Sequence, residues 1–200
     1  MSKIKICGLR SEEDIALINE VKPDFAGFII DYPPSFRSLS LQRFEELSSK
    51  VLPDIKRVGV FVNEEIDTIC SLAKKNLLDA VQLHGNESEE YIRLLKSQIE
   101  VPVIKAFILK SEEDVKGIQK CGADYVLLDA GKGSGQSFAW NWCKHIDRDY
   151  FLAGGIGFEN IEEALQIQPY AIDLSSKLET NKKKNPAKVK AVMSFFRKES

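Results

Sequence analysis

The sequence predicts an α/β fold, a single-domain (β/α)8 TIM barrel over residues 1–200, on three observations. First, short β-rich runs open near Lys3, Phe25, Lys56, Ala80, Val103, Tyr125, Phe151 and Ala171, each followed by a segment of helical character. Such alternation implies parallel strands joined by crossover helices, and eight repeats imply closure into a barrel. Second, Ser11-Glu12-Glu13-Asp14 and Ser111-Glu112-Glu113-Asp114 repeat one helix start, a capping hydroxyl three residues before a carboxylate. Third, Asp24, Asp79 and Asp124 each stand immediately before a strand, as if one unit were reused. Gly and Pro fall mostly in connections, and no low-complexity stretch or linker divides the chain. With 44% hydrophobic residues, 200 residues supply one substantial core and no surplus for a second.

Taken in order, the first strand, Lys3-Ile4-Lys5-Ile6-Cys7, alternates isoleucine with lysine and ends on a thiol before Gly8. The second strand leads into Asp31-Tyr32-Pro33-Pro34-Ser35-Phe36-Arg37-Ser38, a long loop stiffened by two prolines. It ends in an arginine suited to bidentate carboxylate recognition. In the third, Val58, Val60 and Val62 alternate with Arg57, Gly59 and Phe61. If the valines and isoleucines meet the helices, Lys5, Arg57, Lys105 and Asp173 point into the lumen beside Cys7 and Asp129. Buried charges need partners, so Asp173 on the eighth strand is expected to pair with Lys5 on the first. The fourth strand ends at His84, which has a structural role open to it as well as a substrate-facing one.

The sixth strand, Val126-Leu127-Leu128-Asp129, ends on a carboxylate as the first ends on a thiol, and the two ends are three steps apart around a ring of eight. Barrel enzymes take their working groups from the C-terminal ends of separate strands. An acid and a base there can move a proton off one atom and onto another, as an isomerase requires without a redox cofactor. A free thiol ionises at about pH 8.5, so Cys7 needs a cation such as Lys5 to act as a base. Ala153-Gly154-Gly155-Ile156 and Asp173-Leu174-Ser175-Ser176 follow the seventh and eighth strands. Glycine lets backbone N–H groups approach an anion and serine adds hydroxyl donors, which points to a phosphorylated substrate. Each piece has a plain structural role of its own: a plug for the thiol, a turn for the carboxylate and glycines, a cap for the serines. The combination favours function.

A net charge of −2 gives no reason to expect a nucleic-acid or acidic-membrane partner, and Lys182-Lys183-Lys184 is read as a solvated loop. No apolar run approaches the roughly 20 residues that span a bilayer, and the chain starts on a strand pattern, which together suggest a soluble cytoplasmic protein. Cys7, Cys70, Cys121 and Cys143 lack metal-site or disulfide spacing, and two histidines offer no ligand set, so no metal is expected. No obligate protein partner is evident, and a monomer is the preferred reading.

Nearly end to end, the sequence resembles the phosphoribosylanthranilate isomerases. The resemblance rests on Lys5-Ile6-Cys7-Gly8-Leu9, Gly27-Phe28 with Ser35 and Arg37, Val58-Gly59-Val60-Phe61-Val62-Asn63, Val81-Gln82-Leu83-His84-Gly85 and Leu128-Asp129. It continues through Gly133-Ser134-Gly135 with Phe138 and Trp140, Ala153-Gly154-Gly155-Ile156 with Asn160, and Asp173-Leu174-Ser175-Ser176 with Glu179. It implies a cofactor-free Amadori rearrangement with Asp129 as acid and Cys7 as base. Arg37 would hold the anthranilate carboxylate, His84 would meet the substrate, and Gly154, Gly155, Ser175 and Ser176 would hold the phosphate. The chain departs from the family pattern at Lys177, usually glycine, at Ala139, commonly acidic, and in Thr180–Asn185, which lacks a Pro-Gly turn. Lys177 would supply a compensating charge. Another phosphosugar isomerase or epimerase, and a catalytically silent barrel that binds a phosphorylated ligand, are the alternatives.

Overall fold

A computed structural model describes residues 2–109, 111–129, 140, 142–143 and 145–197. Among the described residues, eight parallel strands make up the barrel: β1 (Lys3–Cys7), β2 (Phe25–Ile30), β3 (Lys56–Phe61), β4 (Ala80–Leu83), β5 (Val103–Ile108), β6 (Tyr125–Asp129), β7 (Tyr150–Ala153) and β8 (Ala171–Leu174); Ser38–Leu39 adds a short parallel pairing at the end of β2. Each pairs with the next, and β1 pairs with both β2 and β8, so the sheet closes. Outside it lie α1 (Glu12–Val21), α2 (Leu41–Ser48), α3 (Ile66–Lys74), α4 (Glu89–Lys96), α5 (Glu112–Lys120), α6 (Ile161–Gln166) and α7 (Pro186–Arg197). The predicted (β/α)8 barrel is therefore the fold. Gly133, Ser134, Gly135, Phe138 and Ala139 lie outside the described residues.

The repeated sequence signals have physical counterparts. Ser11 accepts from Asp14 N at 3.2 Å, and Asp14 Oδ2 accepts from Ser11 N at 3.2 Å, which satisfies two helix-end donors reciprocally. Each repeated aspartate caps the neighbouring strand: Asp24 accepts from Ile4 N at 2.9 Å, Asp79 from Arg57 N at 2.7 Å and Asp124 from Val103 N at 2.8 Å. Three carboxylates thus tie β1 to β2, β3 to β4 and β5 to β6 at the N-terminal rim.

Strands buried on both faces divide the apolar residues between two cores. Ile4, Ile6, Phe28, Phe61, Val81, Leu83, Val126, Leu128 and Leu174 pack against the helices. Phe25, Val58, Ala80, Ile104, Leu127, Phe151, Ala153 and Ala171 fill the lumen. Val58 is thus inward, and Arg57 and Phe61 outward, the reverse of the parity expected from the sequence. In a two-sided strand both faces are apolar, so alternation loses its sign, and pairing of Val58 with Gly27 sets it instead.

Two of the four charges expected in the lumen are there. Lys5 is fully buried, stands opposite Asp173 in register, and donates to its Oδ2 at 2.8 Å. Arg57 and Lys105 are not luminal. Arg57 shares the outer face with Ala26 and makes a two-pronged contact with Asp79 at 2.7 and 3.2 Å. Lys105 shares the face of Leu83 and Val126, and its ammonium reaches the rim, donating to Gly85 O at 2.7 Å and Glu87 Oε2 at 3.0 Å. A long flexible stem lets a lysine leave its strand position for the nearest carboxylate.

Lys182–Lys184 is likewise more than a solvated loop. Glu179–Thr180 pairs antiparallel with Lys183–Lys184, turning through Asn181 and Lys182 with φ of 50° and 61°. Both central residues are left-handed, as a tight hairpin requires, so the turn forms without Pro-Gly. Arg10 secures it by donating to Lys182 O at 2.8 Å. Lys182 and Lys183 are exposed, whereas Lys184 is buried.

Candidate active site

Parity and strand length together fix what gathers at the C-terminal mouth. Cys7 is the last residue of β1, on the luminal face shared with Lys5, and is buried. Asp129 is the last residue of β6 and pairs in register with luminal Ala153; it is half-buried. Between β6 and β1 around the ring lie β7 and β8.

Room for the thiol comes from the neighbouring strand. A Cβ on Gly27 would lie 2.8 Å from Cys7 Sγ and 3.0 Å from Cys7 Cα. Gly27→Ala must displace the backbone of β1 as well as the thiol, and is expected to cost about 1–3 kcal/mol. Urea unfolding would show this as a lower midpoint at unchanged slope; an unchanged midpoint would refute the packing argument.

The charges around Cys7 oppose one another. Burial pushes its thiol above the ordinary range, and the Asp173 carboxylate pushes the same way, while the Lys5 and Lys184 ammonium groups pull it down and do not fully offset burial. Lys5 alone does not activate the thiol, because Asp173 already neutralises it. Burial would also discharge Lys5, but the Asp173 carboxylate and the Cys7 sulfur overturn this and raise its pKa.

His84 follows β4, and its Nδ1 lies 3.0 Å from Gln82 Nε2. The ring is open to solvent at the mouth yet walled by protein, and desolvation together with Lys5 lowers its pKa, with Asp129 and Asp173 acting in opposition. It is therefore neutral at pH 7. With the Gln82 amide as donor, Nδ1 accepts and the ring proton sits on Nε2. His84 and Asp129 line one cavity of about 460 Å³ with Lys105, Phe107 and Ile108.

Arg37, read from the sequence as suited to bidentate carboxylate recognition, makes such a contact within the protein. Its Nε and Nη2 donate to the two oxygens of Glu179, each at 2.7 Å, and its guanidinium lies 4.2 Å from the centre of the Phe36 ring. Gly8, at φ 80°, makes the crossing possible, since a Cβ there would lie 2.5 Å from Arg37 Cδ. Glu179 also receives Lys184 at 2.9 Å. Burial would raise the Glu179 pKa, but its two cationic partners hold it below the usual carboxylate range.

The two loops expected from the sequence to hold an anion are adjacent because β7 pairs with β8. Gly154 and Gly155 have φ of 101° and 65°, values that side-chain-bearing residues adopt rarely. Asn160 braces their loop, accepting from Gly157 N at 2.8 Å and donating to Gly155 O at 3.3 Å. Ser175 Oγ donates to Cys7 O at 3.2 Å, and Ser176 opens a 3₁₀ turn. Lys177 lies against Gly157 and pairs with exposed Glu159 at 2.5 Å, joining the two loops at the surface.

Sequence reasoning missed the partners Glu179, Lys184 and Gln82. The Gln82-x-His84 spacing, which puts both side chains on one strand face, was the available signal for the last. Among the described residues, no group of three or more His, Cys, Asp or Glu is placed to hold a metal ion, and no helix is long and apolar enough to cross a membrane.

A thiol, a carboxyl group and two glycine- and serine-bearing loops on one rim place this chain in the class of small (β/α)8 barrels with a polar site at the C-terminal mouth. A model of the N-(5′-phosphoribosyl)anthranilate isomerase family matches residues 4–194, and the chain belongs to that family. The N-(5′-phosphoribosyl)anthranilate isomerase of Endomicrobium trichonymphae is 39% identical, covering 98% of this chain and 99% of the relative. The crystal structure of the Thermus thermophilus phosphoribosyl anthranilate isomerase superposes with a TM-score of 0.86 at 31% identity, covering 99% of this chain and 100% of that one. A phosphoribosyl anthranilate isomerase in complex with reduced 1-(o-carboxyphenylamino)-1-deoxyribulose 5-phosphate gives 0.84 at 34% identity, covering 97% of each chain.

Proposed function

We propose that this protein converts N-(5-phosphoribosyl)anthranilate to 1-(2-carboxyphenylamino)-1-deoxyribulose 5-phosphate, the aldose-to-ketose step of tryptophan biosynthesis, with Asp129 as acid and Cys7 as base. The observation that carries the assignment is the placement of both groups on the luminal face at the last position of β1 and β6. Asp129 donates a proton to the ribose ring oxygen as the C1′–O4′ bond breaks and the anilino lone pair forms a C=N bond. Cys7, as thiolate, takes the C2′ proton, and that electron pair forms C1′=C2′ and neutralises the nitrogen. The enolamine then moves a proton from O2′ to C1′, giving the ketone. Exchange with solvent resets the acid and base, so atoms and electrons balance without a redox partner.

Substrate charge is matched by position. Arg37 would hold the anthranilate carboxylate with the guanidinium edge that Glu179 leaves, and neutral His84 would donate from Nε2. Gly154, Gly155, Ser175 and Ser176 would present donors to the phosphate. A reducing cytoplasmic setting suits a mechanism that needs a thiol, and Cys7 is not in a disulfide.

The test follows the fluorescence of substrate made fresh from anthranilate and phosphoribosyl pyrophosphate. Wild type should deplete it without added cofactor, and Asp129→Asn should do so about 10²–10⁴-fold more slowly, the usual contribution of a positioned acid. Wild type that binds the adduct but never converts it would overturn the proposal in favour of a silent binding barrel.

A further inference from the structure

Lys184 is unused in this scheme, yet only 1% of its side chain is exposed. Its ammonium donates to Ser175 O at 3.2 Å and to Glu179 Oε1 at 2.9 Å. Glu179 takes both prongs of Arg37, while Ser175 Oγ donates to the carbonyl of Cys7. One chain of contacts therefore runs from the guanidinium, through a buried carboxylate and a buried ammonium, to the strand end that bears the thiol.

The charges do not cancel along it. Lys5 and Asp173 balance each other at 2.8 Å, but Glu179 alone must serve both Arg37 and Lys184, which leaves one surplus positive charge. A buried surplus cation is costly unless an anion answers it. The charged groups that act on Cys7 are Lys5 from its own strand, Asp173 from β8 and Lys184 from the hairpin that follows β8; β2 faces it with Gly27. The coupling is mutual, since the Cys7 sulfur also favours the charged form of Lys184 against burial.

We propose that Lys184 is a positioning residue for the reaction: through Glu179 it holds the Arg37 guanidinium in place, and its surplus charge stabilises the thiolate of Cys7. This rests on the reading of Cys7 as base and Arg37 as carboxylate holder. It also explains why a hairpin in which only Lys184 is buried is built against the mouth.

The test titrates the thiolate absorbance of Cys7, as the difference between each protein and its Cys7→Ser counterpart, in wild type, Lys184→Met, Lys184→Arg and Glu179→Gln. Affinity for the reduced product analogue is measured on the same proteins. Lys184→Met should raise the thiol midpoint by about one pH unit, and Lys184→Arg should restore it. Glu179→Gln should lower the midpoint, because it removes the anion, yet weaken analogue binding about tenfold or more, because Arg37 loses its charged partner and one of its two acceptors. A merely structural role would not move the two readouts in opposite directions. One common midpoint in folded wild type, Lys184→Met and Glu179→Gln would overturn the proposal. Should Lys184→Met fail to fold, an unmoved or raised midpoint in Glu179→Gln does the same. Neither readout needs turnover, so an inactive wild type would defeat the isomerase reading while this one is still decided.

Discussion

Cys7→Ser is expected to lower kcat by about 10³-fold or more while KM changes only a few-fold. A hydroxyl fits the space that Gly27 leaves for the sulfur, so binding geometry survives and the base is lost. The rate falls because a serine hydroxyl does not ionise in the range where a thiol does, even one raised by burial. The pH dependence sharpens the point. In Asp129→Asn the thiol is the reacting group left to titrate, and the residual rate should rise about tenfold per pH unit up to the thiol pKa. Residual turnover of Asp129→Asn that ignores pH, or Cys7→Ser at wild-type kcat, would remove the thiol from the mechanism.

Lys5→Met is expected to destabilise the fold by about 3–5 kcal/mol, the usual cost of stripping the partner from a buried ion. The ammonium is fully buried, and Asp173 has little to fall back on, since its Oδ1 has no hydrogen-bond partner and its Oδ2 is held by Lys5. For a chain of this size the loss corresponds to a melting temperature lower by about 6–20 °C. Lys5→Met combined with Asp173→Leu should recover most of the loss, because a well-packed apolar pair is often no worse than an ion pair. A single variant as stable as wild type, or a double variant no better than the single, would show that the pair does not carry this weight.

How far the sequence could be read depended on whether a signal was local. Strand starts, the Ser11 cap and the aspartates before β2, β4 and β6 lie within a few residues of what they organise, and each was legible. Cys7 and Asp129 were legible because strand ends in a closed barrel share a rim whatever the loops do. Lys5 and Asp173 were found because two charges on adjacent luminal strands must meet. The parity of β3 was misread because Val58, Val60 and Phe61 are apolar on both faces, and only pairing with Gly27 sets it. The partner of Arg37 lies 142 residues away, and nothing near Arg37 announces it. Lys184 hid in a run of like residues, where composition suggested solvent and a left-handed turn at Asn181 and Lys182 put one member inside.

The three aspartate ties at the N-terminal rim also bear on how the molecule can be taken apart. Each joins an odd strand to the even strand after it, so three two-stranded modules of the barrel are pinned at that rim. A nick in the 49–55 or 97–102 connection leaves every tie inside a single fragment. Those connections are the natural seams for a split or circularly permuted version, while a nick within a module leaves its halves joined at that rim through the aspartate and the strand residue it caps.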